Sequence, residues 1–242
     1  MKIKDVDINY LDYGEKNKQA LVFLHGWGQN INMMKPLADN FSKENRIIII
    51  DLPGHGQTPE PTYIWHLNDF VEMLKELLDK LNIDKPILIG HSFGGKISLL
   101  FASKYEVEKL ILFGSPFRKD ITKLSLKTKI LKKLKKVPIL NKLEEFAKQH
   151  IGSTDYKNAS PIMRQILVKH VNTDIIEEVK KIDAPTIIIW GTNDSTVSIK
   201  EAYELEKLIK DSAVIAYQNC THYAYLENLG QTINVINSFI KE

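Results

Sequence analysis

Six short apolar runs, rich in Ile, Leu and Val, constrain the fold of this chain more than any other feature: Leu21 to Leu24, Ile47 to Ile50, Ile87 to Ile89, Leu110 to Phe113, Ile187 to Trp190 and Val214 to Tyr217. Each is too short for a helix and apolar at consecutive positions, the pattern of strands buried on both faces of a parallel sheet. Helical periodicity fills the gaps. It is clearest over Leu67 to Leu81, where Phe70, Leu74, Leu77, Leu78 and Leu81 share one face, and it recurs over Phe93 to Lys104 and Ile199 to Ile209. Alternating strands and helices predict an α/β fold, a mostly parallel sheet with helices on both faces, right-handed crossovers and ligands at the carboxyl ends of the strands. Val6 to Tyr13 alternates polar and apolar residues before Gly14 and reads as an antiparallel edge strand.

The alternation stops between Ser115 and Asp183, where only helical patterns follow one another. The domain reading is a core of residues 1–114 and 184–242, with 115–183 inserted as a helical lid over the strand ends. Charge is uneven in the same place. From Arg118 to Lys142 ten basic residues face one acid, Asp120, a net +9 in a chain that carries +3, which leaves −6 elsewhere. Within it Ile130, Leu131, Leu134 and Val137 recur at helical spacing, with Lys129, Lys132, Lys133, Lys135 and Lys136 between them, so the stretch reads as a basic amphipathic helix. It is either a solvated face or a surface that attracts an anionic partner, such as an acidic carrier protein, a coenzyme A thioester or an anionic membrane.

Other classes are excluded or disfavoured by what the chain lacks. Cys220 is the only cysteine, so neither an internal disulfide nor a cysteine-built zinc site is available. The N-terminal residues do not resemble a secretory signal, and no apolar run nears the roughly 20 residues of a membrane span. A cytoplasmic protein with no membrane span and no nucleic-acid partner is expected.

The chemistry is carried by Gly90-His91-Ser92-Phe93-Gly94, a G-x-S-x-G between a strand-like run and a helical segment. A sharp turn there lifts a serine hydroxyl above the sheet and sets a helix N-terminus beneath developing negative charge. A serine needs a base, and His222 lies just past the last strand-like run. The base needs a carboxylate, and Asp194 follows the run ending at Trp190, with Asp183 and Asp211 next in line. Phe93 is placed to donate its N–H to an oxyanion, and Trp27, between Gly26 and Gly28 in the loop after Leu24, is the second donor. His25, Gly26 and His91, which flank these donors, are expected to border bound substrate. Cys220, two residues before His222, has no such turn around it and reads as a packing residue.

Together these motifs resemble the α/β-hydrolase superfamily along nearly the whole chain. His25-Gly-Trp-Gly resembles its oxyanion loop, Asp51-Leu-Pro-Gly-His-Gly56 its D-x-P-G-x-G turn, Gly90 to Gly95 its elbow, Asp194 its acid and His222 its base. Chain order Ser, Asp, His agrees. His25 to Asn30 and Asp51 to Gly54 also resemble the methyl ester esterases acting on pimeloyl carrier protein, which typically have Trp and Leu where this chain has His91 and Phe93. Ser92 stands where epoxide- and halide-processing members carry an aspartate, and His25-Gly-Trp-Gly departs from the H-G-G-P-G of the proline-releasing peptidases. The resemblance implies a serine hydrolase of carboxylic esters or thioesters, working through an acyl-enzyme on a small-molecule substrate without metal or organic cofactor. The same triad also serves carbon–carbon bond hydrolysis or a lyase step, and the scaffold also serves as a non-catalytic ligand receptor.

Overall fold

A computed structural model of the chain describes residues 1–15, 18–119 and 159–241. All six apolar runs are strands of one seven-stranded sheet: β4 (Ala20–Leu24), β5 (Arg46–Ile50), β6 (Ile87–His91), β7 (Lys109–Phe113), β8 (Thr186–Gly191) and β9 (Ser212–Tyr217), with β3 (Tyr10–Gly14) at one edge. The order is β3-β5-β4-β6-β7-β8-β9, with only β3 antiparallel. The segment read as one edge strand is two. β2 (Val6–Asp7) folds back on β1 (Lys2–Ile3) through a turn with Lys4 at φ 51°, and only Tyr10–Gly14 reaches β5. The Ile8 N–H is spent on the Met1 carbonyl at 2.9 Å, so the hairpin takes the bonds a continuous strand would need.

Successive strand residues serve two cores, as the period of two requires. Val22, Leu24, Ile48, Ile50, Leu88, Leu110, Leu112 and Ile188 face one side. There they meet α2 (Leu67–Lys80), α3 (Phe93–Ala102) and α6 (Lys200–Leu208). Leu21, Phe23, Ile47, Ile49, Ile87, Ile89, Ile111 and Phe113 face the other, against α1 (Ile31–Ala38), α7 (Ala224–Glu227) and α8 (Leu229–Lys241). Fully burying each such side chain contributes roughly 1.5–3 kcal/mol.

Between β7 and β8 the described residues hold α4 (Pro161–Asn172) and α5 (Ile176–Val179) and no strand. Ser160 caps α4, its hydroxyl accepting the Met163 N–H at 3.2 Å, and Pro161 occupies the first turn, where a missing N–H costs nothing. Met163 and Ile166 seat the helix on the α2/α3 side of the core. Of the basic stretch only Arg118 and Lys119 are described, and the Ile130 to Val137 pattern lies outside the described residues. The Arg118 guanidinium pairs with Glu204 and lies 3.9 Å from Glu201, both on α6. Among the described residues no helix is long and apolar enough to cross a membrane.

Candidate active site

Ser92 stands where β6 ends and α3 begins, with φ 50° and ψ −110°. A non-glycine residue there costs of order 1–3 kcal/mol and persists only where its surroundings impose it. They do. The Ser92 N–H donates to the Phe113 carbonyl at 2.8 Å, and the Gly94 N–H donates to the His25 carbonyl at 3.1 Å, tying the turn to β7 and to the loop after β4. Gly95 makes room for this, since a Cβ there would stand 1.7 Å from Ser115 Oγ.

The loops after β8 and β9 bring Asp194 and His222 to the same end of the sheet. Backbone bonds lace them, Asn193 N–H to the Cys220 carbonyl at 2.9 Å and Thr192 N–H to the Tyr217 carbonyl at 3.0 Å. His222 Nδ1–H donates to Asp194 Oδ2 at 2.7 Å. Asp194 Oδ1 accepts the N–H groups of Thr196 and Val197 at 2.8 and 2.9 Å, so the enclosed carboxylate is fixed by three donors. Because a carboxylate only accepts, the neutral imidazole carries its proton on Nδ1 and leaves Nε2 free to accept. Gly114 at the tip of β7 lets the ring approach: a Cβ there would stand 2.9 Å from His222 Nδ1. The His222 ring lies 4.7 Å, centroid to centroid, from that of His91, the residue before Ser92. Asp183 and Asp211 are exposed and precede β8 and β9, at the opposite end of the sheet.

The loop after β4 turns back through a Gln29 N–H to Gly26 carbonyl bond at 3.2 Å, with Gly28 at φ 71°. Among the described residues no backbone carbonyl takes the N–H of Trp27 or Phe93. The Trp27 indole packs edge-on to His55 at 4.9 Å and to Phe93 at 5.3 Å, so its side chain is part of the core as well.

His25 and His91 are wholly buried, and their ring nitrogens are taken up by the protein rather than turned to a ligand. His25 Nε2 accepts the Leu52 N–H at 3.0 Å, so Nδ1–H donates to the Gly26 carbonyl at 2.7 Å. His91 Nε2–H donates to the His222 carbonyl at 3.0 Å, supporting the backbone there, and Nδ1 lies 3.2 Å from Gln29 Oε1. Burial pushes His25 down to about 4 and, with the neighbouring His222, His91 down to about 3. Both are neutral props. The Asp51 carboxylate is likewise structural: Oδ1 accepts the Ile31 N–H that opens α1, and Oδ2 accepts those of Gln57 and Asn9 Nδ2, each at 2.8 Å. Cys220 is half-buried, and burial, with Glu227 beside it, raises its thiol. No three His, Cys, Asp or Glu side chains among the described residues gather so as to hold a metal ion.

Two residues at the site had no place in the sequence reading. His170 reaches from α4 to the rings of Trp27 and Phe93, and Lys96 lies buried in α3 beneath it. The signal for Lys96 was present: it is the one charged residue in Phe93–Ala102. His170 carries no local signal.

The family profile described as the alpha/beta hydrolase fold matches residues 19–117 and 117–229. The chain is 25% identical over 267 residues to 2-hydroxy-6-oxononadienedioate/2-hydroxy-6-oxononatrienedioate hydrolase 1 of Pseudomonas putida, covering 98% of this chain and 92% of that one. It is 25% identical over 245 residues to the pimeloyl-[acyl-carrier protein] methyl ester esterase of Aliivibrio fischeri, covering 92% and 93%. Among solved structures it is similar to a bacterial membrane phospholipase A, with a TM-score of 0.80 at 22% identity, covering 100% of this chain and 84% of that one.

Proposed function

Because the chain belongs to the alpha/beta hydrolase family, we propose that it is a serine hydrolase of carboxylic esters or thioesters, with Ser92 as nucleophile, His222 as base and Asp194 as orienting acid. The observation that carries this reading is the 2.7 Å bond from His222 Nδ1–H to a carboxylate already fixed by two backbone N–H groups, at the strand ends where the strained Ser92 turn lies. Ser92 Oγ attacks the carbonyl carbon as His222 Nε2 takes its proton, and the Trp27 and Phe93 N–H groups receive the oxyanion. The imidazolium returns the proton to the leaving alcohol or thiol. Water then repeats the sequence on the acyl-enzyme, releasing the acid. Residues 115–183 act as a lid whose basic stretch attracts an acidic carrier or a coenzyme A thioester, a reading supported by similarity to an esterase named for an acyl-carrier-protein substrate.

The second reading, carbon–carbon bond hydrolysis on the same triad, is favoured by equal identity to the dienedioate hydrolase. The test is a panel of esters and thioesters graded by acyl length, beside a 2-hydroxy-6-oxo-dienoate, with products identified and salt varied. Wild-type enzyme is expected to cleave the esters and to be labelled on Ser92 by a fluorophosphonate. Ser92→Ala should lose labelling and about 10⁴–10⁶ in kcat. Retention of a tenth of turnover by that variant refutes the reading.

A further inference from the structure

Lys96 lies one helical turn after Ser92, and a position this deep is one that a lysine rarely takes without a partner. Its ammonium donates to the carbonyls of His170 at 3.1 Å and Thr173 at 2.6 Å, in the last turn of α4 and at its C-cap. Carbonyls at a helix C-terminus lack the usual i+4 donors, and although that of His170 also accepts the Thr173 N–H at 3.2 Å, a cation there still meets the negative end of the helix dipole. Glu201 on α6 and Asp174 beyond α4 are the acids facing this ammonium, and His170 is the other titratable group beside it. One buried cation therefore joins the helix that carries the nucleophile to a helix of the inserted segment.

What this join holds in place is the His170 ring. It lies edge-on to Phe93 at 4.3 Å and parallel to Trp27 at 6.4 Å, the two residues whose N–H groups are assigned to the oxyanion. Burial and the Lys96 charge keep it neutral. Its Nδ1 is enclosed and has no hydrogen-bond partner among the described residues. A phenylalanine would fill the space without enclosing an unpaired nitrogen, so packing alone does not account for histidine here.

We propose that Lys96 is a positioning residue for substrate selection: by holding the last carbonyls of α4 it sets the His170 ring against Trp27 and Phe93, as the wall that the acyl chain of the substrate meets. This rests on the serine-hydrolase reading and adds to it a determinant of acyl specificity.

The experiment compares wild type, Lys96→Met, Lys96→Arg, His170→Ala and the Lys96→Met/His170→Ala pair. Two readouts are taken: amide hydrogen exchange over residues 161–173, and kcat and KM on p-nitrophenyl acetate, butyrate and octanoate. Lys96→Met should speed exchange in the last turn of α4 by about tenfold and change the octanoate-to-acetate selectivity by about tenfold, chiefly through KM. Lys96→Arg, which keeps the cation, should recover part of both. The pair should be no worse than the more affected single variant, because the lysine acts through the histidine. Unchanged exchange in Lys96→Met, or a selectivity ratio that stays constant while stability falls, overturns the proposal. If Lys96→Met does not fold, His170→Ala decides, and an unshifted chain-length profile in that variant overturns it. Exchange needs no substrate, so absence of ester cleavage and of fluorophosphonate labelling in wild type defeats the serine-hydrolase reading separately.

Discussion

Replacing Asp194 by asparagine changes one side-chain oxygen to an amide nitrogen and leaves volume and shape nearly intact. In the structure that carboxylate has two tasks on two oxygens: Oδ1 takes the N–H groups of Thr196 and Val197, and Oδ2 takes His222 Nδ1–H at 2.7 Å. An asparagine can satisfy the first with its carbonyl, because two backbone donors will not face an NH₂. Its NH₂ then faces His222 and makes Nδ1 an acceptor. The ring proton moves to Nε2, the atom that must take the Ser92 proton. The base is lost through its tautomer while the loop stays bonded. We expect kcat to fall by about 10⁴, close to 5.4 kcal/mol at 1.36 kcal/mol per tenfold. Because each bond persists in neutral form, the loss in folding stability should be only the difference between charge-assisted and neutral hydrogen bonds, about 1 kcal/mol. The assay is steady-state hydrolysis of a short p-nitrophenyl ester, with urea unfolding of the same samples and extended incubation with fluorophosphonate to confirm that Ser92 is still present and presented. Full activity in Asp194→Asn would refute the tautomer argument and the assignment of Asp194. Global unfolding would refute the claim that an asparagine carbonyl keeps the loop bonded.

Two further outcomes follow from packing and burial. Gly95→Ala gains helix propensity but sets a Cβ 1.7 Å from Ser115 Oγ and 2.5 Å from Ser115 Cβ, so α3 must shift away from the segment that follows β7. A stability loss of roughly 1–3 kcal/mol is expected, with slower labelling of Ser92, and an unchanged urea midpoint would contradict the contact. Acid should also destabilise the fold. His25 and His91 are pushed down to about 4 and about 3, and His170 lies well below the ordinary histidine range, all chiefly by burial. Each binds a proton more readily unfolded, so the stability it contributes is complete above about pH 6.5 and is lost as pH falls from there toward 4. Three such groups give a slope of at most about 4 kcal/mol per pH unit between pH 6 and 5. Urea midpoints that do not move between pH 7 and pH 5 would show that these rings are not held neutral.

Much of the fold was legible because the information is local. A run such as Ile47 to Ile50 is apolar at every position because both faces of its strand are covered, and no partner need be known to read that. The elbow was legible for the same reason: strand, tight turn and helix N-terminus follow one another within a few residues, and Ser92 duly takes φ 50° between β6 and α3. Asp194 and His222 were legible as residues just past strands, since parallel strands place all their carboxyl ends on one side of the sheet. Where a pattern was short and its partner undetermined, the reading blurred. Val6 to Tyr13 alternates like one strand, yet its first half pairs within the N-terminal hairpin and its second with β5.

What the sequence determined on its own was therefore the strand list, the parallel architecture and the residues gathered at one end of the sheet. Tertiary structure alone decided how those residues are used. His25 and His91 look like ligand contacts beside the Ser92 turn, but His25 Nε2 accepts the Leu52 N–H and His91 Nε2–H donates to the His222 carbonyl, partners that become neighbours only once the loops are packed. Lys96 meets carbonyls 74 and 77 residues away, and its reason for being a lysine is not in its own helix. Periodicity and motif spacing record which face of an element is covered. They do not record what covers it, because that depends on how distant helices dock, and the hydrogen bonds that assign each polar side chain its task form only then.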